Sequence, residues 1–211
     1  MRSLLHLIPL YALFSFFPLS PHALTLVEVF TSKFCPSCPA AEAYLAKQSG
    51  TLSDTLIVME HVDYWDRDNQ TDPLGSPDFT QRQYDYSNLL AKRPGEVFTP
   101  QPILNGTTIA NPPLWVNWKS TFTSVQKEPQ PASLELAKTA SGIIISLPAG
   151  VPTTDVDLYV MGLAPSAERK GLWNASGVTL VEVTGQTIAV ATPSISKGDH
   201  ILAVVQERGP G

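Results

Sequence analysis

The chain has 211 residues, 43% of them hydrophobic and 16% charged, with a formal net charge of −5 at pH 7. This length and composition are typical of a folded protein with one full domain and a smaller second part. The mild acidity and the absence of a Lys/Arg cluster exclude a nucleic-acid-binding surface, so we expect no nucleic acid among its partners.

The N-terminal segment predicts export. Arg2 precedes an apolar stretch over residues 4–19, and the small residue Ala23 follows shortly after it. A basic start, an apolar centre and a small final residue are typical of a secretory signal peptide, here residues 1–23. The alternative is an uncleaved membrane anchor, but prolines interrupt the stretch and it is shorter than the ~20 apolar residues that a span prefers. We therefore expect a periplasmic or secreted protein with no stable membrane insertion after signal cleavage.

A pair of cysteines follows the first predicted strand. Residues 24–30 are rich in strand formers and residues 39–47 in helix formers, with Cys35-Pro36-Ser37-Cys38 between them. The chain has no other cysteine. A structural zinc site needs a second pair of ligands, and a disulfide across so short a loop restricts the unfolded chain little. The pair therefore predicts a dithiol that cycles between thiol and disulfide, which an oxidising compartment permits.

The position of each cysteine relative to the helix predicts its role. A thiol at a helix N-terminus has a lowered pKa, because unpaired backbone N–H groups and the helix dipole favour the thiolate. We expect Cys35 to be the exposed attacking sulfur and Cys38, one turn further on, to be the resolving thiol. Lys33 could stabilise the thiolate, although an ordinary surface lysine is the favoured interpretation. No cofactor and no resident metal are predicted, since the cysteine pair itself carries the electrons.

The second predicted strand, residues 56–62, ends beside polar and aromatic side chains. His61 and Asp63 fall at the carboxyl edge of the sheet, where open α/β sheets bind ligands. There they could modulate the chemistry of the cysteines by proton sharing or charge. The alternative for His61 is a strand histidine bonded to backbone. Tyr64 and Trp65 are candidate substrate contacts, with core or loop packing as their alternative.

Four aspartates, Asp63, Asp66, Asp68 and Asp72, cluster after this strand. They lack the regular alternation and terminal glutamate of an EF-hand loop. We interpret them as a solvated acidic loop rather than a calcium site.

Three further signals complete the first domain. Ser76-Pro77 predicts the start of a helix, because serine caps helices and proline suits their first position. Asn105-Gly106, between two short β runs, predicts a hairpin turn. Asn111-Pro112 predicts the start of a last helix.

The C-terminal third has a different character. Residues 127–132 predict a linker, and residues 133–211 alternate short β runs with Gly, Pro and Ser turns. This pattern predicts a small antiparallel β subdomain packed on the first domain, with a structural or partner-binding role.

The predicted order of elements over residues 24–126 resembles the thioredoxin fold, and the segment VEVFTSKFCPSC is similar to the glutaredoxin-type strand and turn. The resemblance implies a cis bond between Thr99 and Pro100, with Pro100 against the dithiol and Thr99 holding a partner chain. Together with HVDYW, SPDFTQRQY and TPQPILNG, that segment also resembles a family of exported bacterial proteins described as domain of unknown function 1223.

These patterns predict an α/β protein: a thioredoxin-like domain followed by a small antiparallel β subdomain. The predicted function is an exported thiol–disulfide oxidoreductase acting on protein thiols or disulfides. One alternative is a copper-binding or copper-delivery module using Cys35, Cys38 and His61. Another is a non-catalytic binding protein on a thioredoxin scaffold.

Overall fold

The computed structural model describes residues 24–52, 54–110, 115–128, 132–191 and 200–208. The predicted signal peptide, the helix start expected at Asn111-Pro112 and part of the predicted linker lie outside these residues. Within them, every helix is too short or too polar to cross a membrane.

The described chain is a mixed α/β structure in which strands predominate, so the predicted α/β class is confirmed. Its helices are α1 (Cys38–Ser49), α2 (Pro77–Leu90) and α3 (Trp115–Val125). Its strands are β1 (Thr25–Thr31), β2 (Thr55–His61), β3 (Gln101–Leu104), β4 (Thr108–Ile109), β5 (Glu135–Lys138), β6 (Gly142–Ser146), β7 (Val156–Pro165), β8 (Trp173–Val181), β9 (Thr187–Ala191) and β10 (His200–Glu207).

The strands form two sheets. The larger has the order β10-β7-β8-β2-β1-β3-β4, in which β1 runs parallel to β2 and antiparallel to β3. The smaller is antiparallel, with the order β5-β6-β9. Strand β8 pairs in parallel with β2, with Val58 opposite Trp173. The β-rich C-terminal part therefore supplies strands to the same sheet as the first part, and the division at residues 127–132 stays a prediction.

Local signals explain several element boundaries. Helix α2 starts at Pro77, and the Ser76 hydroxyl accepts a hydrogen bond from the Asp78 N–H, as predicted for this cap. Asn105 and Gly106 have positive φ values of 47° and 69°, and the Thr107 N–H donates to the Leu104 carbonyl at 3.0 Å, which closes the turn. The predicted hairpin is thus confirmed between β3 and β4.

Strand β1 is buried on both faces, which fixes the position of the turn that follows it. On one face Val27 and Val29 pack in a core with Leu45 of α1 and Trp118 of α3. On the other face Phe30 packs with residues of α2 and β3. Because both faces are held, the carboxyl end of β1 delivers the cysteine turn to a defined place at the edge of the sheet.

An ionic cluster is buried on the α2 face of the sheet. Arg82 donates hydrogen bonds to the carboxylate of Glu28, which also accepts one from the Tyr86 hydroxyl. The guanidinium lies 4.0 Å from the ring centroid of Tyr159. Glu60 is fully buried, has no hydrogen bond to its carboxyl oxygens among the described residues, and approaches Arg82 only to 3.7 Å. Burial and the nearby Glu28 carboxylate raise the pKa of Glu60 well above its usual range.

Candidate functional site

Cys35 and Cys38 form a disulfide across the turn between β1 and α1. Their Cα atoms are 5.4 Å apart. The Cys35 N–H donates to the Ser32 carbonyl and the Cys38 N–H donates to the Cys35 carbonyl, each at 3.2 Å. These backbone hydrogen bonds hold the turn tightly against the end of β1.

The structure corrects two details of the predicted site. Helix α1 begins at Cys38 with Ser37 as its N-cap, so Cys35 and Pro36 precede the helix rather than lie in its first turn. Cys35 was also expected to be exposed, but it is 1% exposed and Cys38 is 0% exposed. The turn folds back on itself, since the Cys35 N–H donates to the Ser32 carbonyl, and its Ser37 side chain bonds to the Thr99 carbonyl.

The Thr99–Pro100 segment lies beside the disulfide turn. The bond between the two residues is cis, as the family resemblance predicted, and Pro100 is buried. The Ser37 hydroxyl lies 3.5 Å from the Cys35 sulfur and donates a 3.4 Å hydrogen bond to the Thr99 carbonyl. Ser37 therefore connects the cysteine turn to the backbone of this segment.

The candidate substrate contacts gather around Thr99. The Trp65 indole N–H donates to the Thr99 hydroxyl at 2.8 Å, and the Tyr64 ring centroid lies 6.4 Å from that of Trp65. Tyr64 is 40% exposed. Burial of its hydroxyl raises the pKa of Tyr64 to about 12, against hydrogen bonds with Gln83 and Thr99 that lower it. The structure thus brings together the three residues predicted to contact substrate, next to the turn that carries the cysteines.

His61 ends β2 and bonds to an aspartate that sequence reasoning did not select. Its Nδ1 atom lies 2.8 Å from an Asp72 carboxylate oxygen, which also accepts a 2.7 Å hydrogen bond from the Lys33 N–H. Although burial raises the pKa of Asp72, its hydrogen bonds with His61 and the backbone N–H groups of Lys33 and Leu74 lower it to about 2. Asp72 therefore stays ionised and joins the end of β2 to the residues that precede Cys35.

The prediction of a solvated acidic loop is wrong for Asp72, which is buried and only 2% exposed. Asp63, expected to act beside His61, instead bonds to the Thr80 hydroxyl. A signal for Asp72 was present in the sequence, since aspartate often accepts a hydrogen bond from the N–H two residues on in a turn. Asp72 does so with Leu74 at 3.0 Å.

A metal centre is not formed by the predicted ligands. In the part of the chain that the structure describes, no three His, Cys, Asp or Glu side chains are grouped so that they could hold a metal ion. His61 is bonded to Asp72, and the two sulfurs are bonded to each other. In this disulfide form, the three residues therefore form no metal site.

The family described as "Protein of unknown function (DUF1223)" matches residues 26–170. The chain belongs to this family. Among curated proteins, the comparison finds no match.

Two solved structures are similar in fold. One is an X-ray structure of a protein from Agrobacterium tumefaciens, with a TM-score of 0.56 and 24% identity over 88% of this chain and 79% of that one. The other is HBP35 of Porphyromonas gingivalis, with a TM-score of 0.52 and 14% identity over 88% of this chain and 63% of that one. At these identities the likeness concerns the fold alone.

Proposed function

We propose that this protein is an exported thiol–disulfide oxidoreductase with a thioredoxin-like first domain. The observation that carries the proposal is the disulfide between the two cysteines, in the turn that joins β1 to α1. The element order β1-α1-β2-α2-β3-β4-α3 supports the thioredoxin-like part. Export rests on the signal pattern of residues 1–23.

The reaction exchanges two electrons between the cysteine pair and a partner. In the reducing direction, the Cys35 thiolate attacks a partner disulfide, and a mixed disulfide forms as one partner thiolate leaves. The Cys38 thiol then loses its proton and attacks the Cys35 sulfur. The Cys35–Cys38 bond forms, the second partner sulfur leaves and is protonated, and the partner has gained both electrons.

The surroundings of the two sulfurs favour Cys35 as the attacking one. The Cys35 sulfur contacts the hydroxyl of exposed Ser37, whereas Cys38 lies on the buried face of α1 with Ala41 and Leu45. In the reduced protein, the Ser37 hydroxyl would stabilise a Cys35 thiolate if its single proton turned from the Thr99 carbonyl to the sulfur. Because the Thr99 carbonyl contacts Ser37 of the cysteine turn, and Trp65 bonds to Thr99, we assign Thr99, Tyr64 and Trp65 to partner contact.

Replacing each cysteine with serine tests this function. Cys38→Ser keeps the attacker and loses the resolver, so it should trap mixed disulfides with a partner. Cys35→Ser should trap none, and both variants should lose turnover of a test protein disulfide. The measurement is non-reducing electrophoresis after incubation with an oxidised protein substrate, together with the reduction potential of the unsubstituted pair. Wild-type protein that neither reduces a test disulfide nor oxidises a test dithiol would overturn the proposal and favour the non-catalytic binding protein.

We propose that His61 affects the reactivity of the two cysteines. It bonds to Asp72, and Asp72 accepts a hydrogen bond from the backbone N–H of Lys33, two residues before Cys35. We expect His61→Ala to change the pH profile of cysteine alkylation in the reduced protein, and Asp72→Asn to change it similarly. The matched control is His200→Ala, whose ring packs on Trp173 in β8. If the profiles of all three variants coincide with that of the wild type, His61 has a structural role only.

A further inference from the structure

A cleft of about 380 Å³ opens at the carboxyl ends of β1 and β2. Its wall includes the residues before Cys35, the first turns of α1 and the segment between β7 and β8. The cleft has an apolar part, formed chiefly by Met59, Leu74 and Leu172, and a polar part that includes His61 and Arg169. Its volume lies within the ~300–1,000 Å³ of typical small-molecule sites.

Arg169 lies in this wall, and it forms no ion pair with any carboxylate of the described residues. Its Nε atom is buried and has no hydrogen-bond partner among the described residues. One terminal nitrogen makes a long, 3.4 Å bond to the Glu168 carbonyl. A guanidinium presents a planar fork of donors that matches a carboxylate, so these donors lack the acceptor that suits them.

The segment that carries Arg169 is held in place by its own hydrogen bonds. The Arg169 N–H donates to the Ser166 hydroxyl at 3.2 Å, and the Leu172 N–H donates to the Arg169 carbonyl at 3.0 Å. The Ser166 N–H also donates to the Leu172 carbonyl at 2.9 Å. The backbone below the guanidinium is therefore already ordered before any ligand arrives, which reduces the entropy lost on binding.

Two carboxylates that line the cleft are already engaged. Asp72 bonds to His61 and to two backbone N–H groups. Glu42 accepts a 2.7 Å hydrogen bond from the Thr31 hydroxyl. The third carboxylate of the lining, Glu168, forms no ion pair with Arg169 among the described residues, so an anion that enters the cleft would supply the acceptor that Arg169 lacks.

We propose that this cleft binds a small organic monocarboxylate, with the carboxylate on Arg169 and the hydrocarbon part against Met59, Leu74 and Leu172. The charge of the lining disfavours a ligand with more than one negative charge. Three carboxylates, Glu42, Asp72 and Glu168, face two cations, Lys33 and Arg169, so a polyanion meets net repulsion. The proposal does not rest on the redox chemistry of the cysteines.

Isothermal titration calorimetry on the purified protein with its disulfide intact tests the site. The probes are acetate, butyrate and hexanoate, each paired with its neutral amide. We expect the carboxylates to bind, the longer ones more tightly, and each amide to bind at least about tenfold more weakly because it loses a charge-assisted hydrogen bond. Inorganic phosphate should bind more weakly than butyrate.

Substitutions at Arg169 and Lys170 test which residue binds the carboxylate. Arg169→Met should weaken butyrate binding at least about tenfold, and Arg169→Lys, which keeps the charge without the fork, should weaken it less. Lys170→Met removes the neighbouring exposed cation, which does not line the cleft, and should leave the affinity unchanged. The proposal is overturned if no carboxylate binds, if amides or phosphate bind as well as butyrate, or if Lys170→Met weakens binding as much as either Arg169 variant.

Discussion

Replacing Arg82 with methionine is expected to destabilise the folded protein by about 3–5 kcal/mol. The substitution leaves the fully buried Glu28 carboxylate with the Tyr86 hydroxyl as its remaining partner in the cluster. It also removes the guanidinium from the face of the Tyr159 ring. Urea unfolding followed by tryptophan fluorescence measures the change, as a lower midpoint at an unchanged slope.

The matched control for this prediction is Arg208→Met. Arg208 pairs with Asp157 at 2.8 Å, but its side chain is 57% exposed, so this pair should contribute little to stability. Adding Glu28→Leu to Arg82→Met should recover part of the lost stability, because the unpaired buried charge is then gone. Equal urea midpoints for Arg82→Met and Arg208→Met would contradict the prediction. They would show that buried Arg82 contributes no more to stability than exposed Arg208.

The second large effect is a decline in stability with rising pH that is due to Glu60. The folded protein raises the pKa of Glu60 and keeps its proton, whereas the unfolded chain releases it above about pH 4.3. Because the folded state binds more protons, stability falls as the pH rises from that value towards the folded-state pKa. Each unit of pKa difference corresponds to about 1.4 kcal/mol.

Glu60→Gln isolates this contribution, since glutamine resembles the protonated carboxyl in shape and cannot ionise. We expect the variant and the wild type to have similar stability near pH 4, and the variant to be increasingly the more stable at higher pH. Asp72 has the opposite effect on the pH dependence of stability. Because its pKa is lowered in the folded protein, its stabilising contribution is fully present above its unfolded-state pKa of about 4 and is lost as the pH falls. The prediction is contradicted if the difference in free energy of unfolding between the wild type and Glu60→Gln stays constant from pH 4 to pH 8.

Local sequence patterns predicted the structural features that depend on residues close together in the chain. The helix that begins at Pro77, the hairpin at Asn105-Gly106 and the cysteine turn before α1 each depend on residues close in sequence. The resemblance to a known family added the cis bond at Pro100. Thr99, Tyr64 and Trp65 are predicted as substrate contacts from two separate segments, and the structure joins Thr99 to Trp65 directly.

Features that depend on distant pairing were not predictable from the same patterns. Arg82 and Asp72 are polar residues in polar segments, and nothing local indicates that each is buried by partners far away in the sequence. Arg82 meets Glu28 across 54 residues, and Asp72 meets Lys33 across 39. The pairing of β8 with β2 is equally non-local, since a β run does not specify which strand lies beside it.

The parallel contact between β2 and β8 also covers the edge of β2 that β1 leaves open. Strand β2 is an interior strand, and its central residues, Ile57 to Glu60, are buried. A shortened chain ending at residue 128 would leave one side of this strand with free N–H and C=O groups beside apolar side chains. Open strand edges of this kind template aggregation. The C-terminal strands thus cover a strand edge that would otherwise be open in the cysteine-bearing half of the protein.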